Sequence, residues 1–133
     1  MNSPLSRLIC RATLLAAGFM LCLQAAFAQD LDEVRKRGVL RHLGVPYANF
    51  VTGSGDGFDV ELMQGFAREL GVRYEFVPVD WDTLFADLTG HRIVVQGGEV
   101  KTLGPAPVRG DLIANGLTVL PWRGKVVDFS APT

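Results

Sequence analysis

Apolar runs and amphipathic segments alternate along the chain from residue 39 to residue 114, and this alternation limits the fold more than any other feature. Residues 39–45 form a short run typical of a buried strand, and residues 72–79 alternate enough to predict a second strand. A helix-like segment follows each of them. Strands that alternate with helices in this way predict an α/β fold with a mostly parallel sheet and flanking helices.

The predicted helices are marked by their apolar spacing and by their ends. A short polar helix is expected over 30–37, and the clearest helix over 58–70, where apolar residues recur every four positions and predict one buried stripe. Asp80 is expected to cap a further helix that ends at Gly90. The expected buried side chains are Phe58, Leu62, Phe66 and Leu70 in the long helix, and Trp81, Leu84, Phe85 and Leu88 in the later one.

Residues 91–110 interrupt the alternation. The apolar runs 92–95 and 100–103 flank Gly97 and Gly98, and this pattern predicts a β-hairpin with a glycine turn. Beyond it, a strand is expected over 111–114, a short helix opening at Pro121 and a last strand over 126–129.

The first 28 residues have the pattern of a secretory signal peptide. Arg7 and Arg11 precede the apolar run TLLAAGFMLCL, and Ala26 and Ala28 provide the small residues of a cleavage site. The run is too short to span a bilayer, which requires about 20 apolar residues. We therefore expect cleavage after Ala28, a periplasmic location, a domain over 29–133 and no stable membrane insertion.

Composition and side-chain chemistry exclude several classes of function. The net charge of −1 and the lack of a basic excess argue against nucleic-acid binding. Both cysteines, Cys10 and Cys22, leave with the predicted signal peptide, and neither His42 nor His91 has a metal-ligand partner at suitable spacing. We expect no cofactor, no metal and no catalytic activity. Asp80 and Asp82 are interpreted as helix-start acids rather than as an acid–base pair.

The side chains that follow the predicted strands offer a different chemistry. In parallel sheets, ligands bind beyond the carboxyl ends of the strands, which here places 46–56, 80–81 and 115–123 together. Arg123 could hold a carboxylate with its planar guanidinium, or it could pair with an acid such as Asp128. The candidate ligand-binding residues are Tyr47, Phe50, Asn115, Gly116, Thr118 and Arg123, although the two aromatic residues could instead belong to the core.

Several ordered segments resemble the family-3 periplasmic solute-binding proteins of amino-acid ABC transporters. The segments are RGVLRHLGVPYANF, GFDVELMQGFARELG, VDWDTLFADLTG and RGDLIANGLTVLPWRGKVVDFSAP. The resemblance implies a type II periplasmic-binding-protein lobe, with Arg123 on the ligand α-carboxylate and Tyr47 and Phe50 packed on the ligand. It also implies that Asn115, Gly116 and Thr118 bind the ligand's amino and carboxylate groups.

Three departures from the family pattern bear on function. Leu120 and Trp122 stand where the family usually has Thr and Glu, residues 91–109 resemble an insertion, and the chain corresponds to a first lobe without the second. The resemblance implies binding of an amino acid or related anion, for delivery to an ABC permease. The alternatives are the N-terminal fragment of a periplasmic sensor or lytic transglycosylase, or an inactive truncated product. Because one lobe forms half of a cleft, we expect weak binding.

Overall fold

A computed structural model describes residues 29–131 of the chain; the predicted signal peptide and cleavage site lie outside these residues. None of the helices described there is long and apolar enough to cross a membrane. The elements in chain order are α1 (Gln29–Arg37), β1 (Val39–Gly44), α2 (Phe58–Leu70), β2 (Arg73–Pro78), α3 (Leu84–Thr89), β3 (His91–Gln96), β4 (Glu99–Pro105), β5 (Leu112–Ile113) and a 3-10 helix (Arg123–Lys125).

The central sheet is parallel and has three strands in the order β2-β1-β5. Six residue pairs join β1 to β2, from Val39 opposite Arg73 to Gly44 opposite Pro78. Only two pairs join β1 to β5. The predicted α/β class and parallel sheet are confirmed, and all three strands end at the same edge.

Helices cover both faces of this sheet. Successive residues of a strand point to opposite faces, so Leu40 and Leu43 of β1 pack against different helices. On one face, Leu40 packs with Val34 of α1 and Ala67 of α2. On the other face, Leu43 packs with Leu84 of α3. The core is therefore divided into two apolar layers with the sheet between them.

Helix α2 has the predicted bounds but not the predicted buried face. Phe58 is 65% exposed and Leu62 52% exposed, whereas Val60 and Ala67 are buried. The predicted stripe was therefore wrong for these positions. The buried carboxylate of Asp59 accepts a hydrogen bond from the Gly116 amide at 2.7 Å, which fixes the rotation of the helix about its axis.

Four other predictions near helix and strand ends were also wrong. The Asp80 side chain does not cap α3; its backbone carbonyl accepts hydrogen bonds from the Thr83 and Leu84 amides in a turn. Trp81 in that turn is 43% exposed. Residues 126–129 form no strand, because no strand edge among residues 29–131 pairs with them, and the short helix begins at Arg123 rather than at Pro121.

The hairpin prediction is confirmed. Strands β3 and β4 pair antiparallel around Gly97 and Gly98, whose positive φ angles of 59° and 80° suit a two-residue hairpin turn. The register shifts between Arg92 and Ile93, where Leu103 is the extra residue on β4. This bulge changes the direction of the side chains at the base of the hairpin.

The carboxylate of Asp111 joins three parts of the fold just before β5. It accepts hydrogen bonds from Arg37 Nη2 at 2.7 Å, Arg41 N at 2.8 Å, Arg41 Nε at 3.2 Å and Arg41 Nη2 at 2.7 Å. Burial raises the pKa of Asp111, but the hydrogen bonds and charge of Arg41, with the charge of Arg37, outweigh burial and lower it overall. The start of β5 is thereby tied to α1 and β1.

Candidate functional site

Loops from all three parallel strands meet at the carboxyl edge of the sheet. The loop after β1 contacts the turn after β2 through Tyr47 and Trp81, whose ring centroids are 5.8 Å apart. It also contacts the segment after β5, because the Phe50 ring lies against Gly116. The predicted meeting of these segments is confirmed, and this edge is where ligands of parallel sheets bind.

Three aromatic side chains form an exposed row on this edge. The rings of Tyr47 and Phe50 are stacked, with 6.2 Å between centroids and 10° between planes. Trp81 meets Tyr47 edge-on. Tyr47 is 50% exposed and Phe50 38% exposed, so neither is a core residue. The row can pack against the apolar part of a small molecule.

Gly116 lies against the Phe50 ring, and the ligand contact predicted for Gly116 stays a prediction. Its φ of 58° lies in the left-handed region, and a Cβ at this position would lie 2.7 Å from the Phe50 ring. Its amide already donates to Asp59. Only glycine allows this turn and this close approach at the same position.

Asn115 is a buried positioning residue. It is 2% exposed, and its Oδ1 accepts a hydrogen bond from the Val45 amide at 2.6 Å. Its Nδ2 is buried without a hydrogen-bond partner among the described residues. The amide oxygen therefore holds the loop after β1 to the segment after β5, and the ligand contact predicted for Asn115 stays a prediction.

Arg123 is half-buried and rests on aromatic rings. Its Nη1 donates to the Thr118 carbonyl at 3.0 Å, and its guanidinium carbon lies 5.3 Å from the Trp122 ring centroid and 5.8 Å from that of Phe85. Cation–π contacts of this kind hold a guanidinium in place without neutralising its charge. No acid in the described part of the chain forms an ion pair with Arg123, so the alternative pairing with Asp128 is wrong.

A cavity of about 540 Å³ lies beside Arg123, between α3, the hairpin and Trp122. The sequence pattern did not predict this cavity, although Trp122 departs from the family pattern. Trp122 packs edge-on against Phe85 at 5.2 Å and forms part of the cavity wall. One feature of the sequence could have indicated a pocket: Trp122 stands where the family usually has Glu, directly before Arg123.

The two histidines are engaged in hydrogen bonds. His42 is fully buried; its Nε2 donates to the Ala114 carbonyl at 2.7 Å, and its Nδ1 therefore accepts from the Tyr74 hydroxyl at 2.8 Å. Burial lowers the pKa of His42 and raises that of Tyr74 to about 12. Within residues 29–131 no cluster of three His, Cys, Asp or Glu side chains could hold a metal ion.

Comparison with known proteins identifies a family. Residues 39–133 match the bacterial extracellular solute-binding proteins, family 3. The L-cystine-binding protein TcyJ of Escherichia coli (strain K12) is 32% identical over 114 residues, which cover 80% of this chain and 36% of that protein. The chain thus spans little more than a third of this relative.

Solved structures agree with the fold. The ancestral amino acid-binding protein AncCDT-1, described as a precursor of cyclohexadienyl dehydratase, matches with a TM-score of 0.57 and 37% identity over 77% of this chain and 40% of its own. A mutant of the arginine-bound form of domain 1 from TmArgBP matches with a TM-score of 0.54 and 30% identity over 77% of this chain and 70% of its own. The second match shows that the shared region corresponds to most of one domain.

Proposed function

Because this chain belongs to the bacterial extracellular solute-binding proteins, family 3, we propose that it binds an amino acid or a similar small carboxylate solute at the carboxyl edge of its sheet. The names of its relatives support this class of ligand, since they include an L-cystine-binding protein and an arginine-bound domain. Delivery of the solute to an ABC permease is part of the proposal.

The observation that carries the proposal is the state of Arg123. A guanidinium held over two aromatic rings, with no carboxylate from the described residues against it, has donors available for an anion. Its Nη1 is bonded to the Thr118 carbonyl and its Nε is buried, whereas its Nη2 forms no hydrogen bond with the described residues. A ligand carboxylate that reached Nη2 would gain a charge-assisted hydrogen bond.

The aromatic row supplies the second part of the proposed site. Tyr47, Phe50 and Trp81 are exposed large side chains at an edge where loops from three strands meet. A ligand with its carboxylate on Arg123 and its carbon skeleton along the edge would cover part of this apolar surface. Thr118 is exposed in the segment after β5, and we expect its hydroxyl to contact the ligand; the contacts expected of Asn115 and Gly116 stay predictions.

The test is a titration of the purified protein with free amino acids, followed by NMR chemical shifts. For a protein of residues 29–133 we expect dissociation constants that are roughly millimolar, near −4 kcal/mol, because the loops at the carboxyl edge of the sheet cover a ligand from one side. Arg123→Met should weaken binding about tenfold, the value of one charge-assisted contact. Arg68→Met, on the exposed surface of α2, is the matched control. Equal affinities for the wild type and Arg123→Met would refute the carboxylate assignment.

We propose a binding role without catalysis. AncCDT-1 is described both as amino acid-binding and as a precursor of a dehydratase, so binding and catalysis are close in this group of proteins. In this chain, both ring nitrogens of His42 are bonded and buried, and His91 Nδ1 is bonded to the Thr89 carbonyl. The NMR samples check the proposal directly, because turnover would produce new ligand signals over time.

Export through a cleaved signal peptide is also part of the proposal. The family is described as extracellular, and the Ala26-Phe27-Ala28 site follows a short apolar run. Mass spectrometry of the protein recovered from the periplasm should find Gln29 at the N-terminus. Recovery in the membrane fraction with residues 1–28 still attached would contradict it.

A further inference from the structure

We propose that the β3–β4 hairpin forms the specificity wall of the binding site and selects carboxylate ligands with a large, uncharged apolar side chain. The inference rests on the proposed function and names the ligand class for the same site. It follows from the walls of the cavity beside Arg123, from the charges in that cavity and from the bulge in the hairpin.

The cavity has two apolar parts to its lining, and its volume of about 540 Å³ is within the ordinary range for small-molecule sites. One part of its lining is aromatic and comes from the segments around α3 and the 3-10 helix. Another part is aliphatic and comes from the hairpin. The side chains concerned are Trp81, Phe85 and Trp122 in the first part, and Ile93, Val95 and Leu103 in the second.

Arg123 lines the same cavity as these hairpin side chains. Of the aromatic row only Trp81 lines this cavity, so a ligand with its carboxylate on Arg123 and its backbone beside Trp81 has its own side chain within reach of Ile93 and Val95. Val95 is 37% exposed and Leu103 63% exposed, so the hairpin still has apolar surface to bury. Burying that surface against a large apolar ligand side chain is favourable in proportion to its area.

The charges in the cavity disfavour a cationic side chain. Arg92 and Arg123 provide two positive charges, Asp82 provides one negative charge, and none of the three forms an ion pair with another described side chain. The ammonium group of an amino acid can be matched by Asp82 and its carboxylate by Arg123. A guanidinium or ammonium on the ligand side chain would then meet the unbalanced charge of Arg92.

The hairpin bulge supports a dedicated wall. The register shift opposite Arg92 and Ile93 leaves Leu103 as the extra residue on β4. Bulges commonly redirect a side chain of the bulged strand at a site, and Leu103 lines this cavity together with Ile93 and Val95 of β3.

The experiment measures dissociation constants for L-phenylalanine, L-alanine and L-arginine with the purified protein. The chain has two tryptophans, Trp81 and Trp122, and both line the cavity, so their fluorescence reports directly on its occupation. We expect phenylalanine to bind at least about tenfold more tightly than alanine, because a single methylene in an apolar pocket can be worth that factor. Arginine should bind no more tightly than alanine.

Variants with matched controls locate the effect. Ile93→Ser should reduce the preference for phenylalanine over alanine at least about threefold, whereas Val94→Ser, at a hairpin position that does not line the cavity, should leave it unchanged. Arg92→Gln should strengthen arginine binding relative to phenylalanine, and Lys101→Gln on β4 should not. Circular dichroism confirms that each variant is folded.

The possible failures are distinguishable. If phenylalanine and alanine bind equally, or if Val94→Ser acts as Ile93→Ser does, the specificity wall is refuted. The proposed binding function survives that result as long as Arg123→Met weakens both ligands. If no amino acid binds at all, the proposed function and the specificity wall both fail.

Discussion

Replacing Asp111 with asparagine tests the junction that holds β5 to the rest of the fold. The carboxylate accepts four hydrogen bonds from Arg37 and Arg41. An asparagine of the same shape keeps one acceptor oxygen but turns an NH₂ group toward guanidinium donors. Each hydrogen bond to a charged group is worth about 1.5–3 kcal/mol, and breaking a fully buried ion pair costs about 3–5 kcal/mol.

The solvent exposure of Arg37 and Arg41 determines how much unfolding free energy Asp111→Asn should lose. The side chains of Arg37 and Arg41 are 37% and 25% exposed, so water replaces part of what is lost. We expect Asp111→Asn to lower the free energy of unfolding by about 2–3 kcal/mol at pH 7. That is a large fraction of the roughly 5–15 kcal/mol that stabilises an ordinary domain. Urea unfolding followed by circular dichroism measures it.

The pH dependence gives an internal check. Because the pKa of Asp111 is lower in the folded state, the unfolded chain binds more protons at acid pH, and the stabilisation is lost as the pH falls. The difference in free energy of unfolding between wild type and Asp111→Asn should be constant at neutral pH and should become smaller below about pH 4. Asp128→Asn, at an exposed acid, is the control. A loss below about 0.5 kcal/mol at pH 7 would refute the reasoning.

Two other substitutions test buried and strained positions. The pKa of His42 is lowered by burial, so the unfolded chain takes up a proton first and the wild type should lose stability as the pH falls below about 6.5. His42→Phe should remove this loss of unfolding free energy below about pH 6.5, as measured by urea unfolding. An unchanged slope would contradict the assignment of the loss to His42. Gly116→Ala should cost about 2 kcal/mol through its positive φ and its contact with Phe50. Gly53→Ala, with open space around the added carbon, should be nearly neutral in thermal unfolding, and equal losses for the two variants would count against the strain argument.

The parts of the fold that depend on local pattern were predictable from the sequence. The bounds of α2 and the glycine turn of the hairpin follow from spacing and turn chemistry within about a dozen residues. The buried face of α2 was not predictable in the same way. Apolar residues lie on two sides of this helix, and the contact that selects one side is between Asp59 and Gly116, far away in the sequence.

The candidate site shows the same limit. Arg123 and the aromatic pair Tyr47 and Phe50 were identified from their places after predicted strands, and the structure brings their segments to one edge. The cavity was missed because it requires the hairpin to lie beside α3. Nothing in the turn chemistry of Gly97 and Gly98 specifies where the hairpin packs. Long-range packing decides both features.

The short pairing of β5 has a consequence for binding. Two residue pairs hold β5 to β1, against six between β1 and β2, and the segment that carries Thr118 and Arg123 follows directly from it. Local opening of β5 would therefore disorder the segment that we propose binds a carboxylate, while the larger strand pair remains intact. A ligand on Arg123 favours the closed form by mass action, so the amide of Ile113 should exchange its hydrogen more slowly as ligand concentration rises. Order at this edge of the sheet and occupation of the site are then two measures of one equilibrium.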